Sequence, residues 1–114
     1  MPNAPLKHDV LVILLALSAR PLHGYGIIQA AEQSPAGSTE LQTGALYRAL
    51  KHLLADGLIE QRPAPRNEES DGPERRYYGL TSRGQRVLNT ELDRLAELVR
   101  TARAQRAGRK PRLA

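Results

Sequence analysis

The 114-residue sequence contains no cysteine, no tryptophan, no phenylalanine and a single methionine. Without cysteine there is neither a disulfide framework nor a thiolate metal site. Without tryptophan and phenylalanine, a stacked aromatic cage built from those rings is excluded, and the aromatic rings left are four tyrosines and three histidines. Long apolar runs are missing too. The longest, residues 10–17, is far short of the ~20 residues that span a bilayer. Only Lys7 and His8 stand before it as a basic flank, so neither a membrane helix nor a secretory leader is expected, and a cytoplasmic location is.

Signals for chemistry are equally sparse. His8, His23 and His52 share no metal-ligand spacing with one another or with a carboxylate cluster. Gly24-Tyr25-Gly26 lacks the further glycine and the preceding strand of a dinucleotide loop. No serine, histidine and acid suggest a nucleophile beside its base. Hence no enzyme activity, no cofactor and no metal are expected, and His23, placed in a turn, is expected to order backbone there.

What is present is positive charge at one end. The net charge is +5. Residues 1–84 hold nine basic and nine acidic side chains, whereas residues 85–114 hold eight basic and three acidic ones, the whole surplus. From Arg100 onward every charged residue is basic: Arg100, Arg103, Arg106, Arg109, Lys110 and Arg112. Such a tail is attracted to polyanions, nucleic acid first among them; it reads equally well as a solvated end that keeps the chain soluble.

Periodicity supplies the elements. Leu6, Val10, Ile13, Leu14 and Leu17 recur at helical spacing and stop before Pro21, which ends a helix. A short second helix follows the turn at residues 22–26, with Tyr25, Ile28 and Ala31 or Glu32 marking one side; it ends at the turn formers of residues 34–38. A third helix opens near Gln42 and Thr43, of which Thr43 has the better capping chemistry. Its stripe is Leu46, Leu50, Leu53 and Leu54, and Asp56-Gly57 closes it, with Gly57 suited to the left-handed position past the end. Residues 58–62 and 75–80 read as two strands of a hairpin around a polar loop, with one of Tyr77 and Tyr78 expected in its core. Thr81 is placed to cap a last helix from about Ser82 toward Ala107. On that helix Leu88, Leu92, Leu95, Val99 and Ala102 alternate by four and three, a heptad seam suited to pairing with a second copy.

The fold class is therefore mainly α with a small β-hairpin. Three helices followed by a hairpin is the order of a winged helix-turn-helix, here with a C-terminal dimerisation helix. Residues 1–81 are expected to form the DNA-binding domain, and residues 82–114 the dimerisation helix with its basic tail. In that architecture the third helix enters the major groove and the wing lies along the phosphates. The third helix has the composition this requires. It has no acid between Gln42 and Ala55, and opposite its leucines stand Gln42, Thr43, Tyr47, Arg48 and Lys51. Arginine can grip guanine, and glutamine adenine, through paired hydrogen bonds, while Gly44 lets helix-start N–H groups approach a phosphate.

The sequence here resembles the PadR-type transcriptional regulators. Residues 14–17 with Pro21-Leu22-His23-Gly24-Tyr25-Gly26-Ile27-Ile28 are similar to that family's first block, residues 43–53 to its recognition helix, residues 56–60 to the wing entry, and residues 75–84 to the wing exit. The four blocks fall in order over most of residues 10–90. The resemblance implies a homodimeric repressor paired through the C-terminal helix, of the compact branch with one such helix. It also allows a small-molecule effector held at the dimer interface. The chain departs from the family pattern where Gln42-Thr43 replaces Ser-Pro and where Arg48 replaces a common proline, adding a charge that can meet DNA. Glu68, Glu69, Asp71 and Glu74 in the wing loop would be repelled by phosphate, so the tip is expected to point away and Arg75 or Arg76 at the base to make contact. The partners implied are double-stranded DNA with an inverted-repeat operator and a second copy of the chain, with no membrane. The competing reading is a winged-helix module for protein interaction that does not bind DNA. A MarR-type winged helix is expected to carry a helix before the domain, for which the N-terminal arm is short.

Overall fold

The computed structural model describes residues 5–34, 40–65 and 76–108. Its elements run α1 (His8–Ala19), β1 (Leu22–His23), α2 (Gly24–Glu32), α3 (Thr43–Ala55), β2 (Ile59–Arg62), β3 (Tyr77–Leu80) and α4 (Ser82–Gly108). The mainly α winged-helix class expected from the sequence is the one observed.

α1 is apolar on nearly every side, and its innermost residues Ile13, Leu14 and Leu17 anchor the core. It stops because the residue before a proline is pushed out of the helical region: Arg20, ahead of Pro21, is fully extended at φ −171° and ψ 162°. The chain then runs directly into β1 and from it into α2. His23 caps α2, its Nδ1 accepting the N–H of Gly26 at 3.0 Å, so the ordering of backbone expected of this histidine is what it does.

Two expectations for this region need correction. Gly24, Ile27 and Ala31 form the buried side of α2, and Tyr25 is 59% exposed. Because the helix begins at Gly24 straight out of β1, the inward positions fall three and four residues from Gly24, and Tyr25 is rotated outward. The hairpin is also not alone. β1 adds a third antiparallel strand in the order β1-β3-β2, pairing Leu22 with Tyr78 and His23 with Tyr77. β3 is thus the central strand, covered on both faces, which is why both Tyr77 and Tyr78 are buried and not one of them. On one face Tyr78 joins the main core; on the other Tyr77 meets His23 edge-on at 5.2 Å. At the outer strand Arg62 pairs with Glu60 at 2.9 Å and donates to the Leu80 carbonyl at 2.7 Å.

α3 buries Leu46, Leu50 and Leu53 and ends as its sequence predicts. Gly57 takes φ +73°, a conformation costly for any side chain but free for glycine. Its N–H bonds to the Leu54 carbonyl and that of Leu58 to the Leu53 carbonyl, at 3.1 and 3.0 Å. These two bonds satisfy the last carbonyls and turn the chain into β2. At the start of α3 the cap is Gln42, with Thr43 already the first helical residue, and the Gln42 side chain makes no capping bond. Buried Leu41 fixes the entry one residue earlier than the hydroxyl chemistry of Thr43 suggests.

Thr81 caps α4 as expected, its hydroxyl oxygen accepting the Gly84 N–H at 3.0 Å. At 27 residues α4 is about 40 Å long. Its inner side carries Gly84, Leu88 and Glu91 against the body of the protein. Buried Glu91 is held by Arg94 through two bonds, 2.9 and 2.7 Å, and accepts the Leu6 N–H, which ties the N-terminal arm to α4. Among the described residues, no helix is long and apolar enough to cross a membrane, and no cluster of histidines and carboxylates could hold a metal ion.

Candidate nucleic-acid interface

The third helix divides into two sides. Leu46, Leu50 and Leu53 are at most 4% exposed, while Gln42, Thr43, Gly44, Tyr47, Arg48 and Lys51 all lie on the exposed side. A helix that reads DNA must bury one side and offer donors and positive charge on the other, and α3 does so. Arg48 and Lys51 are not covered by the protein's own body. The guanidinium of Arg48 folds back one turn, with Nη1 3.4 Å from where a Cβ on Gly44 would be. It therefore stands over the first turn of α3, close to the amide groups that no side chain caps.

Tyr47 behaves differently from its neighbours. Its ring is half exposed, but its hydroxyl end lies against α2, so that a Cβ on Gly24 would sit 2.7 Å from the phenolic oxygen. The hydroxyl is thus the packed end of a side chain otherwise on the exposed side, and the glycine opposite leaves room for it. Burial, with Tyr47 nearby, pushes the Tyr78 phenol above its ordinary value, and the positive charge of Arg76 acts in the other direction.

Of the two wing-base arginines, Arg76 is described and exposed. Arg75 and the wing acids Glu68, Glu69, Asp71 and Glu74 lie outside the described residues, as do Arg109, Lys110 and Arg112 of the tail. Along α4, Arg83 and Arg86 are exposed, and Arg100 is paired with Glu97. One residue of this surface escaped the sequence reading. Tyr25, which there marked one side of α2 with Ile28, is exposed, its ring parallel to His23 with centroids 6.4 Å apart. No pattern in the sequence could have placed it, because the phase of α2 is set by the end of β1, a strand of two residues.

The proposed seam on α4 is divided between two environments. Leu88 is 1% exposed and closed inside the chain's own core. Leu92, Val99 and the neighbouring Leu98 are 37, 48 and 54% exposed, Leu95 is half-buried and Ala102 is exposed.

Residues 13–90 match the model of the transcriptional regulator PadR-like family. The chain belongs to that family. Among solved structures, a PadR family transcription regulator from Clostridium difficile shares 24% identity with a TM-score of 0.69, over 90% of this chain and 100% of that one. A PadR-like transcription factor from Bacteroides fragilis shares 28% identity with a TM-score of 0.67, over 83% of this chain and 86% of that one. The Bacillus subtilis PadR, solved in complex with operator DNA, shares 24% identity with a TM-score of 0.63; the match spans 75% of this chain and 47% of that one. At under 25% identity the first and third of these establish the fold. No curated protein matches the chain. The family is one of transcriptional regulators, not of enzymes.

Proposed function

We propose that this PadR-like chain is a homodimeric, sequence-specific DNA-binding repressor that acts in the cytoplasm. The observation that carries the reading is the split of α3, leucines inward and Gln42, Thr43, Gly44, Arg48 and Lys51 outward without an acid among them. In the complex α3 lies in the major groove. Arg48 and Gln42 are the base readers, Lys51 and the first-turn amides near Gly44 take phosphates, and Arg75 or Arg76 holds the backbone beside the wing. Tyr47 contributes the exposed flank of its ring while its hydroxyl fixes α3 on α2.

Residues 82–108 act as the dimer element. With Leu88 committed to the core, the pairing face is Leu92, Leu95, Leu98, Val99 and Ala102. It is joined by the outward side of α1, where Leu15 is 45% exposed and Leu11 and Val12 are half-buried. An all-round apolar helix is normally covered on every side, and a second copy supplies that cover. Two α3 helices related by a twofold axis read an inverted repeat whose half-sites lie ~10 base pairs apart, or a multiple of that.

Selection of duplexes from a random pool by the purified protein tests this. An inverted repeat is expected, with affinity falling by roughly one power of salt concentration per phosphate contact. Recovery of no preferred sequence, or of a single half-site bound by one chain, would remove the reading.

A further inference from the structure

We propose that Tyr25 is a DNA-phosphate-binding residue, its hydroxyl donating to the strand that passes between the recognition helix and the base of the wing. The inference rests on α3 being the base-reading helix and adds a contact on a different element.

Position comes first. Gly24 lies under the hydroxyl of Tyr47 from α3, and Tyr25 is the next residue. On its other side the Tyr25 ring lies parallel to His23, within 5°, and His23 meets the edge of Tyr77, the neighbour of Arg76. The first turn of α2 is therefore flanked by α3 and by the wing base, the two elements assigned to DNA. In a helix-turn-helix the helix preceding the recognition helix crosses the phosphate backbone, and tyrosine hydroxyls are among the groups that meet phosphate oxygens.

Preorganisation comes second. A side chain 59% exposed ordinarily keeps its rotational freedom and loses it on binding. Here the ring lies alongside His23, parallel to it with centroids 6.4 Å apart, and His23 is itself held by the bond from the Gly26 N–H and by Tyr77. More than half of the Tyr25 residue is open to solvent beside that anchored imidazole.

A phenol hydroxyl is a neutral donor, so on a phosphate it releases no counterion, and a phosphate contact carries no sequence information. That gives the proposal a signature different from that of the arginines. Tyr25→Phe keeps the ring and its contact with His23 and deletes only the hydroxyl. Binding is measured by fluorescence anisotropy on two probes, the tightest duplex recovered from a random pool and the unselected pool itself, across a salt series. The expected result is a roughly tenfold loss on both probes, the scale of one hydrogen bond to a charged group, with the salt slope unchanged. Arg48→Ala, in parallel, should weaken the selected duplex far more than the pool. A Tyr25→Phe protein that binds both probes like the wild type overturns the proposal, and so does a loss confined to the selected duplex, which would make Tyr25 a base reader. If Arg48→Ala changes neither probe, the reading of α3 is what has failed.

Discussion

Gly84 of α4 lies directly on the backbone carbonyl of Leu58, and a Cβ built at position 84 would stand 2.0 Å from the carbonyl oxygen. The same oxygen accepts the N–H of Thr81 at 3.1 Å, and the Thr81 hydroxyl donates to the carbonyl of Gly57 at 2.6 Å. The turn that ends α3 and the turn that starts α4 are therefore one joint, backbone against backbone. The two helices are thereby tied to each other at Leu58 and Gly57, ahead of the first residue of β2.

This joint makes Gly84→Ala a sharp test. In an ordinary helical position the change would stabilise by about 0.5–1 kcal/mol. Here the new methyl group meets backbone, which cannot swing aside, so the sign reverses and a loss at or above the usual overpacking range of about 1–3 kcal/mol is expected. Thermal or urea unfolding measures it. An alanine variant as stable as the wild type would mean that the joint has slack.

Arg48→Ala tests the exposed face of α3. If the guanidinium grips a base, the substitution costs about 1–3 kcal/mol of operator affinity and relaxes the preference at that base pair. Competition binding against operators changed one base pair at a time shows both effects. A small loss, equal for every duplex, would reduce Arg48 to a phosphate contact.

The sequence revealed α3 and α4 because each carries a clear one-sided pattern, over 13 and 27 residues. β1 has two residues, too few for alternation to be visible, and its existence decides that both Tyr77 and Tyr78 are buried. α2 failed for another reason: with Ile27, Ile28, Ala30 and Ala31 apolar at adjacent positions, several phases fit, and the true one is fixed by where β1 stops. Leu88 marks a third limit. Burial against the chain's own body and burial against a partner leave the same apolar pattern, so the seam could not show where one ends and the other begins. In α3 the exposed residues were legible, whereas the direction of the Tyr47 hydroxyl depends on an absent side chain at Gly24, on a different helix.

Val99→Glu separates the two kinds of burial. Val99 is 48% exposed in the single chain, so the carboxylate is tolerated there. In a paired interface it would be desolvated opposite apolar groups, a cost of several kcal/mol. Sedimentation should show the mass falling to that of one chain, with the helical content retained. A dimer that survives the substitution would place the interface elsewhere on the molecule.

Glu91 gives the chain a defined response to acid. The two bonds from Arg94, the Arg94 charge and the Leu6 N–H together hold its carboxyl below the ordinary value of 4.5, against the opposing effect of burial. A carboxylate whose folded value is depressed binds protons more weakly in the folded state than in the unfolded chain. Its contribution is then complete above about pH 4.5, and it is lost progressively as the pH falls through the lower, folded value. Arg94 stays charged throughout, its own value being raised by the same pair. Glu91→Gln removes the titration, so the variant should be less stable than the wild type near neutrality, and the gap should narrow as the pH falls below 4.5. Urea unfolding at a series of pH values reads both curves. A gap that stays constant from neutral pH into acid would show that Glu91 holds the N-terminal arm by its shape alone and not by its charge.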